Sequence, residues 1–262
     1  MRRHGTHQRL EQALFELDEE YHVASRNDYT RRIEKRAHLV HYQPKTLQLY
    51  EGLDGGTDDT EHTRLGDPRG LVDDEIFRFL ASRRSDRDFG RRRVDADRLG
   101  RVCYFAAGLR RLATGDAGDL GRTTPSAGGL CSVDVYVLAM GVSGLPKGAY
   151  LYRPSLHALS LVRSGDYTAI VRHEAMFQVE FSRASALLVL VSSISRLKAK
   201  YGLRGYRLAL MDIGYASQNI YLAAAHYGVA TCASAGFVDD VLNDLLGLDG
   251  LDRAALLVHG LG

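Results

Sequence analysis

The segment 195–207, SRLKAKYGLRGYR, sets Lys200 directly before Tyr201 and follows the apolar run SALLVLVSSI. It holds five cations and two tyrosines in thirteen residues. A lone tyrosine, with a pKa of about 10, is protonated at neutral pH. A nearby ammonium favours the phenolate and steadies negative charge developing on a substrate, so a Lys–Tyr pair has the makings of a base with an electrostatic helper. Residues adjacent on a helix point about 100° apart. Both side chains reach one substrate only where the backbone bends, and Gly202 and Gly205 permit a bend. We therefore expect the pair on a loop or a helix entrance. The plain alternative is a solvated Lys200 beside a packing Tyr201.

Four other stretches carry groups suited to binding. SRRSDRDFG (82–90) places Arg83, Arg84, Arg87 and the Ser85 hydroxyl at a predicted helix end. Arginine forks suit phosphate oxygens, although cations there also complement a helix dipole. TTPSAGGL (123–130) joins hydroxyls, the fixed φ of Pro125, Ser126, Ala127 and two glycines into a loop that can approach a flat or anionic ligand, or simply turn before a strand. Gln218 falls on the expected apolar stripe of a long helix, where its amide needs a partner, from the backbone or from a heteroaromatic edge. In CASAGFVDD (232–240), Ser234 and Ala235 precede Gly236 and a helix start, a context in which backbone N–H groups can face a ligand or merely connect two elements.

These groups need elements to hold them. Periodicity predicts helices over 7–25 (Leu10, Leu14, Leu17), 71–85 (Ile76, Phe79, Leu80) and 95–112 (Leu99, Val102, Phe105 or Ala106, Leu109). A helix over 206–227 carries the stripe Leu208, Met211, Tyr215, Leu222, Ala225 and stops at Gly228. A short one follows, capped by Asp239 or Asp240. Strands are expected over 132–142, on both sides of a turn at Pro154 and Ser155, at 186–194 with both faces buried, and at 254–262. Helices and strands do not alternate as βαβ units, so the class is α+β. Residues 1–70 read as a helical arm and linker, and 71–262 as the compact domain.

The chain has 262 residues, 45% hydrophobic and 25% charged, with formal net charge +2. That balance gives no basic stripe for nucleic acid, and no apolar run spans a membrane. The N-terminus has no uninterrupted apolar core of a signal peptide. Cys103, Cys131 and Cys232 are widely spaced and fit reduced thiols in a cytoplasmic protein, with no metal site.

The order Arg-Arg-Ser, Pro-Ser-Ala-Gly-Gly before a strand, Gln-Asn on a helix, then Ala-Gly-Phe resembles the nitroreductase superfamily of flavin enzymes. The resemblance implies an FMN-binding fold with a mixed central sheet flanked by helices, in an intertwined homodimer. It implies that Arg83, Arg84, Ser85 and Arg87 grip the FMN phosphate and ribityl chain. The loop Pro125, Ser126, Ala127, Gly128 would come from the partner subunit and lie along the flavin. Gln218 and the turn Ser234, Ala235, Gly236 would complete the site, with a backbone N–H given to flavin N5.

Within that superfamily, TTPSAGGL…GLPKGAYLYRP and KYGLRGYR before a helix with Gly214 and Gln218-Asn219 resemble the azoline dehydrogenases of thiazole- and oxazole-modified peptide biosynthesis, over about residues 71–262. In that branch the matching Lys200-Tyr201 pair is regarded as catalytic. The implied reaction removes a proton and a hydride from a peptide thiazoline or oxazoline. Its implied partners are a heterocyclised precursor peptide and a cyclodehydratase. The sequence departs from the branch in three ways. Cys131 stands where His is frequent, Asp212-Ile213-Gly214-Tyr215 stands for Glu-Ala-Gly-His, and no basic residue follows Gly262. The last departure shifts the phosphate onto Arg83, Arg87 and Arg207. The alternatives are an NAD(P)H-dependent nitro or quinone reductase, an oxidase of carrier-bound nonribosomal intermediates, and a flavin-free scaffold.

Overall fold

Residue 186 opens eight consecutive small or apolar residues, and this run becomes the centre of the sheet. A computed structural model describes residues 18–28, 63 and 67–262. Its six strands are β1 (Val133–Ala139), β2 (Gly148–Arg153), β3 (Ala158–Ser164), β4 (Ala186–Ser193), β5 (Thr231–Ser234) and β6 (Arg253–Leu261). They lie in the order β3-β2-β1-β4-β6-β5. Every pairing between these strands is antiparallel. The α+β expectation holds, whereas the sheet within this chain is antiparallel throughout and not mixed.

All eight residues of β4 are buried. Side chains alternate across a strand, so Ala186, Leu188 and Leu190 enter one core while Leu187, Val189 and Val191 enter the other. β1 splits the same way, with Val133, Val135 and Val137 on one face and Tyr136 and Leu138 on the other. Each buried Leu or Val contributes roughly 1.5–3 kcal/mol.

Among the described residues, the helices α1 (Glu75–Ser82), α2 (Ala96–Ala107), α3 (Ile194–Tyr201), α4 (Arg204–Tyr227) and α5 (Asp239–Leu246) lie around the sheet. α2 begins at Asp95, whose carboxylate accepts from Arg98 N at 2.8 Å, and packs Leu99, Val102 and Ala106 beside α4. Phe105 stays outside, 40% exposed, so Ala106 completes the stripe. On the opposite face α5 buries Leu242, Leu245 and Leu246. Val238, not Asp239 or Asp240, is its N-cap; the Asp239 carboxylate instead accepts from Asn27 N at 2.9 Å.

α4 runs 24 residues, about 36 Å. Its buried face is Ala209, Asp212, Ile213, Ala216, Ser217, Ile220, Ala223 and Ala224. The predicted stripe lies elsewhere: Met211 and Tyr215 are 51% and 41% exposed. α1 is amphipathic as predicted, yet no residue of it is buried. The predicted first helix is described only over 18–25, and its earlier leucines lie outside the described residues. No described helix is long and apolar enough to cross a membrane.

Candidate functional site

α3 carries Lys200 and Tyr201 in its final turn, so the pair sits at a helix exit and not on a loop or entrance. Ile194 and Leu197 bury the inner face. Gly202 ends the helix at φ +55° and donates its N–H to Lys198 O at 2.8 Å. Gly205 serves a different purpose from the expected bend: a Cβ there would lie 2.6 Å from Lys198 N and 2.7 Å from Leu197 C. The absent side chain lets α3 and α4 cross in backbone contact.

The two side chains meet despite their adjacent positions. Lys200 Nζ lies 5.2 Å from the centre of the Tyr201 ring. Both reach Gly128, where a Cβ would overlap Tyr201 Oη and sit 2.6 Å from Lys200 Nζ. Gly128 has φ +57°, a left-handed conformation that glycine adopts without strain. The turn 126–132 therefore forms a floor beneath the ammonium and the phenol.

That turn is held from two helices. Asp212 of α4, 2% exposed, accepts from Ser126 Oγ at 3.0 Å, Ala127 N at 3.0 Å and Ser132 Oγ at 2.7 Å. Ser126 Oγ in turn accepts from Cys131 N at 2.8 Å. Arg196 of α3 donates to Cys131 O at 3.0 Å and to Leu130 O at 3.3 Å.

A second cluster gathers around Tyr221, nine residues further along α4, or about 13 Å along the axis. Arg83 lies over its ring at 5.4 Å, and Ser85 Oγ is 3.2 Å from Tyr221 Oη. Tyr221 Oη accepts from Ala233 N at 2.9 Å, fixing the 83–85 segment against β5. Behind it, fully buried His259 meets the ring edge at 5.0 Å, with Ser217 Oγ at 2.8 Å and Thr231 Oγ1 at 3.2 Å from its nitrogens. Burial pushes this imidazole down to about 3, so it is neutral. Thr231 Oγ1 also donates to Gly260 O at 2.9 Å, which leaves it accepting from His259 Nδ1–H. A cleft of about 480 Å³ opens beside this cluster, bounded by Arg84, Arg91, Arg92, Tyr221, Thr231 and Gly262. Three guanidinium groups at its wall suit an anion.

Near the end of β5, Ser234 Oγ donates to Gln178 Oε1 at 3.0 Å and accepts from Gly236 N at 2.9 Å. The Gly236 N–H expected to face a ligand is thus engaged within its own turn. Ala235 is exposed, and its carbonyl accepts from Asn27 Nδ2 at 3.3 Å.

The predicted residues fall into two groups and a remainder. Ser126, Ala127, Gly128, Lys200 and Tyr201 come together. Arg83 and Ser85 join at Tyr221, with Arg84 at the adjacent cleft. Pro125, Arg87, Arg207 and Gln218 are exposed. Arg207 lies fourteen residues from Tyr221 on α4, about 21 Å away along the axis, so within one chain it does not meet Arg83. The partnered amide expected at Gln218 is instead that of half-buried Asn219, whose Nδ2 donates to Phe105 O at 3.0 Å and Thr123 O at 3.1 Å.

Sequence reasoning missed Asp212, Tyr221 and the N-terminal brace. Lys198, 6% exposed, donates to Asp18 Oδ1 at 3.1 Å and Glu19 Oε1 at 2.8 Å. Burial alone would lower its pKa, but these two bonds outweigh that and raise it. His22 lies 3.2 Å from Tyr206 Oη and 3.1 Å from Gly250 O. The stretch 18–28 thereby ties α3 and the start of α4 to the Ala235 turn. An acid on the otherwise small or apolar face of α4 was the one visible signal for Asp212.

Comparison with known proteins places this geometry. MJ1384 of Methanocaldococcus jannaschii, which carries a nitroreductase name, is 28% identical over 167 residues, 64% of this chain and 81% of its own. The microcin B17-processing protein McbC of Escherichia coli is 29% identical over 159 residues, 59% of this chain and 58% of its own, so the match spans little more than half of McbC. A chain of the E. coli microcin synthetase McbBCD complex with truncated pro-MccB17 bound superposes with TM-score 0.73 over 96% of this chain and 93% of that one, at 19% identity, a likeness of fold. The nitroreductase family profile matches residues 80–262, and the chain belongs to that family.

Proposed function

We propose that this protein is an FMN-dependent dehydrogenase that oxidises peptide thiazolines or oxazolines to thiazoles or oxazoles. The observation that carries the reading is the convergence of Lys200 Nζ and Tyr201 Oη on Gly128. Similarity to McbC, a microcin-processing protein, supports it.

An azoline becomes an azole by losing a proton from the ring carbon beside the carbonyl and a hydride from the neighbouring carbon. Tyr201, entering the step as phenolate, takes the proton at Oη, and the Lys200 ammonium steadies the negative charge that develops toward the carbonyl oxygen. Bound FMN supplies the hydride acceptor, with dioxygen as the terminal oxidant.

The residues present fit that cofactor. The cleft beside Tyr221 offers Arg84 with Arg91 and Arg92 for a phosphate, and Arg83 and Ser85 stand next to it. The two clusters lie on separate halves of α4. Large apolar side chains stand exposed on both elements beside them, Met211 and Tyr215 on α4 and Ile76, Phe79 and Leu80 on α1. A second copy of the chain covers these side chains and brings the Lys200 cluster of one subunit to the Tyr221 cluster of the other. Such a homodimer works in the cytoplasm on a heterocyclised precursor peptide delivered by a cyclodehydratase.

Mass spectrometry tests the reading. The purified protein carries a flavin absorption band and removes two hydrogens per ring from a heterocyclised peptide. Lys200→Ala and Tyr201→Phe retain flavin and lose at least 100-fold in rate; wild-type rates in both variants overturn the assignment. An ordinary nitro or quinone reductase is favoured by the similarity to MJ1384, and rapid NADPH oxidation without azoline turnover would establish it.

A further inference from the structure

The turn beneath Lys200 and Tyr201 is held in part from outside itself. Gly128, Gly129 and Cys131 all lie in the left-handed region, at φ +57°, +70° and +51°. For a cysteine this conformation is strained. The turn is closed from within by Gly129 N to Ser126 O at 3.0 Å, Leu130 N to Ala127 O at 3.2 Å and Cys131 N to Ser126 Oγ at 2.8 Å. Further hold comes from outside, and its centre is one carboxylate.

Asp212 takes hydrogen bonds from both ends of the turn. Ser126 Oγ and Ala127 N stand at its start, and Ser132 Oγ at its end. All three donors are neutral and the carboxylate is 2% exposed, so each bond is charge-assisted and shielded from water. Ser126 Oγ relays the hold to Cys131 N, the residue in the costly conformation. Gly128 lies in the middle of the loop so closed, against the ends of Lys200 and Tyr201.

We propose that Asp212 is a positioning residue that fixes the Ser126–Ser132 turn, so that Gly128 sets where the Lys200 ammonium and the Tyr201 phenol meet. The inference rests on the proton-transfer role given to that pair above. An asparagine replaces the carboxylate poorly. Its one oxygen serves Ala127 N–H, which leaves its NH₂ facing two hydroxyls that both donate to Asp212 and would have to turn round and accept. Asp212→Glu keeps the charge and the acceptors on a longer stem.

Two readouts on the full chain test this. In protein labelled with ¹³C at tyrosine Cζ, the Tyr201 resonance is identified by its loss in Tyr201→Phe. Asp212→Asn shifts that resonance and changes its titration, and Asp212→Glu restores it in part. With a heterocyclised peptide and the flavin-loaded enzyme, Asp212→Asn lowers kcat at least ten-fold with KM within about two-fold of the native value. If Asp212→Asn does not fold, Ser132→Ala, which removes one of the three bonds, gives the same changes in smaller measure. A Tyr201 resonance that superimposes on the native one throughout the titration overturns the proposal, as does an unchanged kcat. Native protein that leaves azolines intact would end the azoline reading alone, because the resonance arm needs no substrate and still decides the role of Asp212.

Discussion

Lys200 and Tyr201 are neighbours in sequence on a helix, yet their side-chain ends meet over the same glycine, Gly128. The final turn of α3 makes this possible. Beyond Tyr201 the chain turns away through Gly202, and the long lysine stem folds back until Nζ lies 5.2 Å from the phenol ring centre. Spacing arguments that treat helical neighbours as divergent hold for helix interiors and fail at a terminus bordered by a loop.

Gly128→Ala tests the floor directly. The new Cβ overlaps Tyr201 Oη and occupies a left-handed backbone. Urea denaturation is expected to show a loss of about 1–2 kcal/mol, and azoline oxidation to fall more than ten-fold with flavin retained. Native activity in this variant would mean that the pair does not work at Gly128.

The exposed apolar side chains give a second prediction. Tyr215→Asp places a charge on the exposed side of α4 that also carries Met211. Analytical ultracentrifugation is expected to find dimers for the native chain and monomers with weakened flavin retention for the variant. A native chain that sediments as a monomer at micromolar concentration would remove the shared-site arrangement.

The brace at Lys198 predicts an effect on local order. Lys198→Met keeps the stem and removes the ammonium that Asp18 and Glu19 accept from. Hydrogen exchange should rise by ten-fold or more across 18–28 and in the last turn of α3, while β4 amides keep their protection. Unchanged exchange at 18–28 would show that this ion pair does not hold the segment.

Stability should depend on pH through His259. Its native pKa, about 3, lies below the roughly 6.5 of an unfolded histidine. Between those values the unfolded chain binds more protons than the native one, so stability is full above about pH 6.5 and falls as pH falls, by roughly 1.4 kcal/mol per unit. Buried His22 is shifted downward as well and adds in the same direction. Urea midpoints at pH 7 and 5 measure the loss, and His259→Gln should lessen the difference. An identical pH dependence in that variant would assign it to other groups.

The sheet was legible where side-chain character alone decides placement. β4 reads as a central strand because Ala186 to Val191 are apolar on both faces. β5 has four residues, Thr-Cys-Ala-Ser, too short and too mixed for a period. α4 was found but turned the wrong way. Large residues such as Met211 and Tyr215 dominate a hydrophobicity count, whereas small Ala209, Ala216, Ala223 and Ala224 let the helix lie close on the sheet. Asp212 stayed hidden because its partners lie 80 or more residues away in sequence. Lys200, Tyr201 and the Ser126–Gly128 loop were each legible from residue type. Their meeting was not, since it depends on how α3 ends.

α4 holds Asp212 toward one end and Tyr221 toward the other on a single uninterrupted helix. Inserting one residue between them would rotate the two clusters by about 100° and separate them by a further 1.5 Å. Length changes within this segment would turn one cluster away from the other, whereas the loops at the ends of α4 can change length without altering that alignment.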